Sequence, residues 1–247
     1  MANPRPPYPL HIVQIQRIRQ VSPHMRRMTI DATALTGIRK DLPAQWFKIF
    51  VPLAGGDISG GRAYTVRHYD PLTQTVDVDF FLHGDTGAIS AWAARVQEGD
   101  RVEISDVHPR SGVAIDPSTE EYLLIGDETA LPAIGAILEA LPVHARAKVY
   151  VQVRDTHEEQ PLASPAMLSV HWLHREPAHD MAANTLQGLA STLQIPGPTV
   201  ALWVAGESGE VAAIRSRLKR ERSVDAVPMH AVGYWKRGEA DHHDEEI

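Results

Sequence analysis

The sequence predicts a β plus α/β protein, in which a six-stranded antiparallel β-barrel is followed by an open, mostly parallel α/β sheet. Three observations carry that expectation. The first half holds short segments rich in β-branched and aromatic residues, separated by clusters of Pro, Gly, Asp and Ser, as strands and their turns require. The run Val76-Asp77-Val78-Asp79-Phe80 alternates with period two, the mark of a strand with one buried face. After Pro117, apolar runs such as Tyr122-Leu123-Leu124-Ile125 alternate with helical stretches, the pattern of a parallel sheet with crossover helices.

In chain order, strands are expected at 10–13, 26–30, 46–51, 63–68, 75–81 and 101–105, a spacing that suits a small barrel. A helix at 87–96 interrupts them, with Ala88, Ile89, Trp92, Ala93 and Val96 on one side. Beyond the barrel come a strand at 122–125, a helix at 131–140 and strands at 148–153, 170–173 and 200–204. Further helices are expected at 185–192 and 211–222. The boundary falls in 115–121, around Asp116-Pro117-Ser118, giving domains of 1–116 and 117–247.

Composition narrows the function. A chain of 247 residues can bury two modest cores. With 24 Lys+Arg against 31 Asp+Glu the net charge is -7, which argues against nucleic acid as the main partner, since phosphate calls for a basic face. No apolar run approaches the roughly 20 residues of a membrane helix. Residues 1–7 lack the apolar stretch of a signal peptide, so the expected location is cytoplasmic, with no membrane partner. The absence of cysteine excludes disulfides, a thiolate nucleophile and Cys-ligated zinc or iron–sulfur clusters, so redox chemistry here requires an organic cofactor. The 13 histidines are mostly scattered, and the His242-His243 pair lies in an acidic tail that reads as solvated. No metal site is expected.

Three segments carry chemistry. Arg62-Ala63-Tyr64-Thr65-Val66-Arg67 lies on an expected strand, where Arg62, Tyr64 and Val66 share one face and Thr65 and Arg67 the other. A Tyr ring stacks on a flat heterocycle, Arg binds pyrophosphate, and Thr hydrogen-bonds a ring nitrogen. An edge strand with solvated arginines is the competing reading. In Phe80-Phe81-Leu82-His83-Gly84-Asp85-Thr86-Gly87-Ala88-Ile89-Ser90 a strand passes through a glycine turn into a helix, whose N-terminal amides favour a phosphate. Thr86 or Asp85 acting as an ordinary helix cap is the alternative. Gly126-Asp127-Glu128-Thr129-Ala130-Leu131-Pro132 is the first strand-to-helix turn of the second half, the usual nucleotide position in such sheets. It lacks Gly-x-Gly-x-x-Gly, and its acids would repel phosphate while accepting from ribose hydroxyls or an adenine amino group.

Together and in this order, these segments resemble the siderophore-interacting protein family of ferric-siderophore reductases, a branch of the ferredoxin-reductase-like flavoproteins. The resemblance continues through Trp203-Val204-Ala205-Gly206-Glu207 and Gly233-Tyr234-Trp235-Lys236-Arg237-Gly238. It implies a noncovalent FAD. Tyr64 would stack on the isoalloxazine, Arg62 would hold phosphate and Thr65 would sit near the reactive nitrogen. His83 and the backbone from Asp79 to Leu82 would line the flavin, Gly87 and Ser90 would meet the pyrophosphate, and Asp127 and Thr129 the adenosine. Trp235 would pack near the flavin's other side, and Arg67 and Ala130 complete the cofactor-binding set. Gly206 and Glu207 would face the nicotinamide.

The implied reaction is FAD-dependent reduction of a ferric siderophore, mediated by the flavin without a catalytic side chain. An anionic ferric catecholate needs a basic pocket, for which Lys48, Arg110, Lys236 and Arg237 are candidates. The donor is NADH, NADPH or a ferredoxin. Glu158 and Glu159 would suit an NADH ribose, Arg154 and Arg175 a phosphorylated one, and the acidic tail 239–246 would repel an acidic ferredoxin. The rival readings are a general NAD(P)H:flavin or ferredoxin-type oxidoreductase with a non-iron acceptor, and a non-enzymatic siderophore-binding protein.

Overall fold

The computed structural model describes residues 5–53, 55, 57–84, 87–176, 185–193, 200–221 and 229–239. The chain divides into two compact units, Met1–Ala114 and Ile115–Ile247. Asp85, Thr86 and the His242-His243 tail lie outside the described residues.

The first unit is one antiparallel sheet of seven strands, β1 (His11–Ser22), β2 (Met25–Asp31), β3 (Trp46–Phe50), β4 (Arg62–Thr65), β5 (His68–Asp70), β6 (Thr75–Phe81) and β7 (Arg101–Ile104). Their order is β4-β3-β7-β1-β2-β6-β5. The extra strand corrects the expected six, and its cause is a corner. The Val66 amide still bonds Gln45 O at 2.7 Å, beside β3, whereas the next amide, Arg67, bonds Asp77 O of β6 at 2.9 Å. One expected strand therefore leaves β3 and joins β6, as strands that turn sheet corners do. Because β4 and β5 are the two edges of the ladder, this single segment draws both edges together and curls the sheet into a barrel. Alternate residues such as Ile15, Met28, Ile30, Phe47, Ile49, Val78, Phe80 and Ile104 fill the interior. Helix α1 (Ala88–Arg95) buries Ile89, Ser90 and Ala93 against it.

The second unit is a five-stranded parallel sheet of β8 (Glu121–Asp127), β9 (Arg146–Val153), β10 (Met167–His174), β11 (Ala201–Glu207) and β12 (Met229–Trp235). The strand order is β10-β9-β8-β11-β12. Central β8 is buried along nearly its whole length, as a parallel strand covered on both faces must be. Leu123, Ile125, Leu202 and Val204 pack on α3 (Leu186–Thr192) and α4 (Ser208–Glu221). On the other face of β8, helix α2 (Leu131–Ala140) brings Ile134 against Gly126, where an added Cβ would lie 2.5 Å from Ala130 Cβ. Strand β12 adds a fifth strand to the sheet that the apolar runs alone did not indicate. No described helix is long and apolar enough to cross a membrane.

Candidate functional site

In the barrel unit the first two sequence segments meet. The Tyr64 ring packs on Phe80 of β6 with centroids 4.5 Å apart, and Phe80 in turn meets Trp92 of α1 at 5.8 Å. This aromatic row ties strand β4 to the strand–turn–helix that follows it in sequence. Burial raises the Tyr64 phenol above its ordinary value, so the ring stays neutral. Arg62 is half-buried, its Nη1 donates to Gly61 O at 3.1 Å, and burial lowers its guanidinium from its ordinary value. A cation already partly stripped of water gains more than a solvated one from meeting an anion. Thr65 and Arg67 are half-buried beside it.

The turn into α1 is shaped for a close approach. Gly87 is the N-cap, with φ −133°, and as a glycine it supplies no capping side chain of its own. The alternative caps, Thr86 and Asp85, lie outside the described residues. A Cβ on Gly87 would meet His83 Cε1 at 3.2 Å. Ser90 is buried, and its Oγ accepts from the His83 amide at 3.1 Å. It therefore staples the turn, and its hydroxyl keeps a proton to donate. Leu82 is anchored through its amide to His24 O at 2.7 Å.

Asp79, expected to line the flavin through its backbone, has its side chain engaged within the barrel unit. Its carboxylate is gripped by Arg27, Nε at 2.6 Å and Nη2 at 2.7 Å, with the Asp79 side chain 2% exposed. Arg27, absent from the sequence-based set, fills the acid's acceptor sites, so Asp79 serves the cofactor side only through its backbone. Lys48 lies half-buried on β3 and Arg110 in an exposed turn beyond β7.

In the second unit the carboxyl ends of β8, β11 and β12 are knitted together by acids. Asp127 is 2% exposed. Its Oδ1 accepts from the Thr129 amide at 2.9 Å and the Thr129 hydroxyl at 2.5 Å. Its Oδ2 accepts from the Glu207 amide at 3.1 Å and from Trp235 Nε1 at 2.7 Å. A carboxylate has about four acceptor sites, and these donors of the chain take up those of Asp127. Both residues position the strand ends, and the Thr129 hydroxyl oxygen keeps acceptor capacity. Ala130, fully buried, packs against Gly126.

Glu207 is likewise engaged. Its carboxylate accepts from the Glu210 amide at 2.9 Å and the Arg237 amide at 3.2 Å. It caps α4 and pins the turn carrying Lys236 and Arg237. Gly206 has φ +145°, and a Cβ there would lie 2.8 Å from Asp127 Oδ2, so only glycine fits. Trp235 is 37% exposed and its carbonyl accepts from Ser208 Oγ at 3.1 Å. Lys236 pairs with Glu239. At the same carboxyl ends, toward the β10 edge, Glu128 forms a fork with Arg175, and Arg154 pairs with Glu176 at 3.1 Å. Burial raises the Glu128 carboxyl above its ordinary value, partly offset by Arg175. Glu159 pairs with His174 at 2.8 Å, and Glu158 is buried.

An antiparallel barrel followed in the chain by an open, five-stranded parallel α/β sheet is a ferredoxin-reductase-like fold. Residues 119–238 match the siderophore-interacting protein family, and residues 14–60 and 59–111 match the siderophore-interacting FAD-binding domain. A siderophore utilization protein from T. fusca is 30% identical with a TM-score of 0.79, covering 95% of this chain and 96% of its own. The ferric vibriobactin reductase ViuB of Vibrio cholerae is 29% identical, over 96% of this chain and 94% of its own length. For fold alone, the ferredoxin-NADP+ reductase of Plasmodium falciparum aligns with a TM-score of 0.69 at 12% identity, covering 89% of this chain and 95% of its own. The chain belongs to the siderophore-interacting protein family.

Proposed function

We propose that the protein reduces the ferric iron of a siderophore complex, using FAD held by the barrel unit and a nicotinamide nucleotide as donor. The observation that carries this reading is the α1 start, where the N-cap is Gly87, next in sequence to the Tyr64–Phe80–Trp92 row. Together with family membership, it supports a phosphate and a flat ring at this unit. The residues present fit FAD: a small N-cap for the pyrophosphate, a half-buried Arg62, and a neutral Tyr64 ring.

Bound FAD would supply the acceptance of two electrons together and their release one at a time. The chain's own part is to bind and orient. Arg62 would neutralise phosphate, with Arg67 beside it; Tyr64 would support the ring, and Thr65 would offer a hydrogen bond to its edge. Ser90 holds His83 and the turn in shape. The ferric complex is the substrate, and reduction weakens the grip of its hard oxygen ligands on iron. Lys48 and Arg110 of the barrel unit are cations proposed to meet its anionic face, and Arg237 is the separate candidate in the second unit. Lys236 is the weaker candidate because Glu239 already pairs with it.

Purified protein carrying one FAD per chain, reduced anaerobically, tests this. On mixing with ferric catecholate or hydroxamate siderophores in the presence of a ferrous trap, the flavin should reoxidise as trapped Fe(II) forms. A flavin that binds and reduces, yet is reoxidised only by quinones or dyes, would remove iron from the account.

A further inference from the structure

The second unit contains a choice of donor that its fold family does not dictate. Sheet order β10-β9-β8-β11-β12 reverses direction at β8, and nucleotides in such sheets lie outside the carboxyl ends of the strands, with the ribose read just after the strand next to the first. Here that strand is β9, which ends at Val153. Arg175 follows β10 and Glu128 follows β8, so their ion pair passes over the end of β9. Arg175 Nη1 donates to Glu128 Oε2 at 3.0 Å and Nη2 to Oε1, a two-pronged grip like the one an arginine offers a phosphate. The Glu128 side chain is 4% exposed and that of Arg175 34%.

We infer that Glu128 occupies the arginine that would otherwise receive a ribose 2′-phosphate, so that the chain takes NADH in preference to NADPH. This rests on the reading that a nicotinamide nucleotide reduces the bound flavin. Pulling Arg175 away would strand a buried carboxylate, so the exchange is unfavourable. The other arginine at this edge, Arg154, is held by Glu176 at 3.1 Å. A dianionic phosphate arriving here meets two cations already neutralised and the acids Asp155 and Glu159 close in sequence to the end of β9. Those same acids are already in contact with His157 and His174 but keep further acceptor sites, which suits the free hydroxyls of an unphosphorylated ribose. The two arginines singled out in the sequence as favouring NADPH are therefore both engaged by acids of the chain itself.

The test is calorimetric binding of 5′-AMP and 2′-phospho-AMP to the FAD-loaded protein, for the wild type and two variants. The wild type should bind 5′-AMP at least tenfold more tightly. Glu128→Gln should shift the ratio tenfold or more toward 2′-phospho-AMP, and Glu176→Gln, an exposed change that leaves the fold untouched, about threefold in the same direction. Equal or tighter binding of 2′-phospho-AMP by the wild type, or a ratio unmoved in both variants, would overturn the inference. Binding of neither nucleotide would overturn it too. Dithionite-reduced protein that still released Fe(II) from a ferric siderophore would then leave the proposed reductase function standing.

Discussion

Two strand-to-helix turns in this chain start from similar ingredients and end in opposite chemistry. After β6, His83 and Gly87 lead into α1, whose N-cap is a glycine and whose first turn holds no acid. After β8, Gly126 leads into α2 through Asp127 and Glu128, both buried and both hydrogen-bonded by donors of the chain itself. A glycine at such a turn creates room for an anion; what fills the remaining space decides whether an anion is wanted. In the proposed function the first turn receives the ligand. The second has been closed by side chains that hold the ends of β8, β11 and β12 together.

The largest effect should come from removing the closure. Asp127→Ala leaves the Trp235 indole and the Glu207 and Thr129 amides without their acceptor, and should lower unfolding stability by about 3 kcal/mol in a denaturant titration. If stability is unchanged, the acid knot is not structural and the contrast between the turns fails. Arg62→Ala addresses the open side: FAD affinity should fall by about 2 kcal/mol, the worth of a charge-assisted hydrogen bond, with little change in apoprotein stability. Ser90→Ala removes the staple beneath the open turn and should cost about 1 kcal/mol, read in thermal unfolding.

The smallest effect is a gain. Burial first, then the Asp127 and Glu207 charges, raise the Glu210 carboxyl above its ordinary 4.5. A raised acid holds its proton more tightly folded than unfolded. Its contribution is favourable below the unfolded value and is lost as pH rises through the folded one. Glu210→Gln should therefore stabilise the protein by about 0.5 kcal/mol at neutral pH, and the gain should vanish at pH 4. A gain that grew toward acid would reverse the assigned sign.

The sequence made the barrel legible where one face is buried, as in Val76-Asp77-Val78-Asp79-Phe80, and the parallel sheet where strands are apolar throughout. It hid the corner at Val66, because residues on both sides of the bend favour strand and only the change of partner, Gln45 to Asp77, reveals it. It hid β12 because an edge strand with small and exposed residues keeps neither pattern. In the site, the glycine-bearing turn into α1 could be read locally, but a Thr86 or Asp85 cap fitted it equally until the Arg62-Ala63-Tyr64-Thr65 strand was set beside it. The roles of Asp79 and Asp127 could not, because their partners Arg27, Glu207 and Trp235 lie 52, 80 and 108 residues away. A buried acid and a ligand-facing acid look alike until the donors are in place.

The contrast between the two turns is tested most directly by titrating FAD into apoprotein carrying Gly87→Asp and, in parallel, Asp127→Asn. At Gly87 the backbone already suits a capping Asp, and the added Cβ meets only the far end of an exposed His83. The new carboxylate should steady α1 by up to about 1 kcal/mol while weakening FAD binding at least tenfold. Asp127→Asn should unfold more easily yet bind FAD within threefold of the wild type. If Gly87→Asp keeps its FAD and Asp127→Asn loses it, the phosphate belongs to the second turn and the account given for both is reversed.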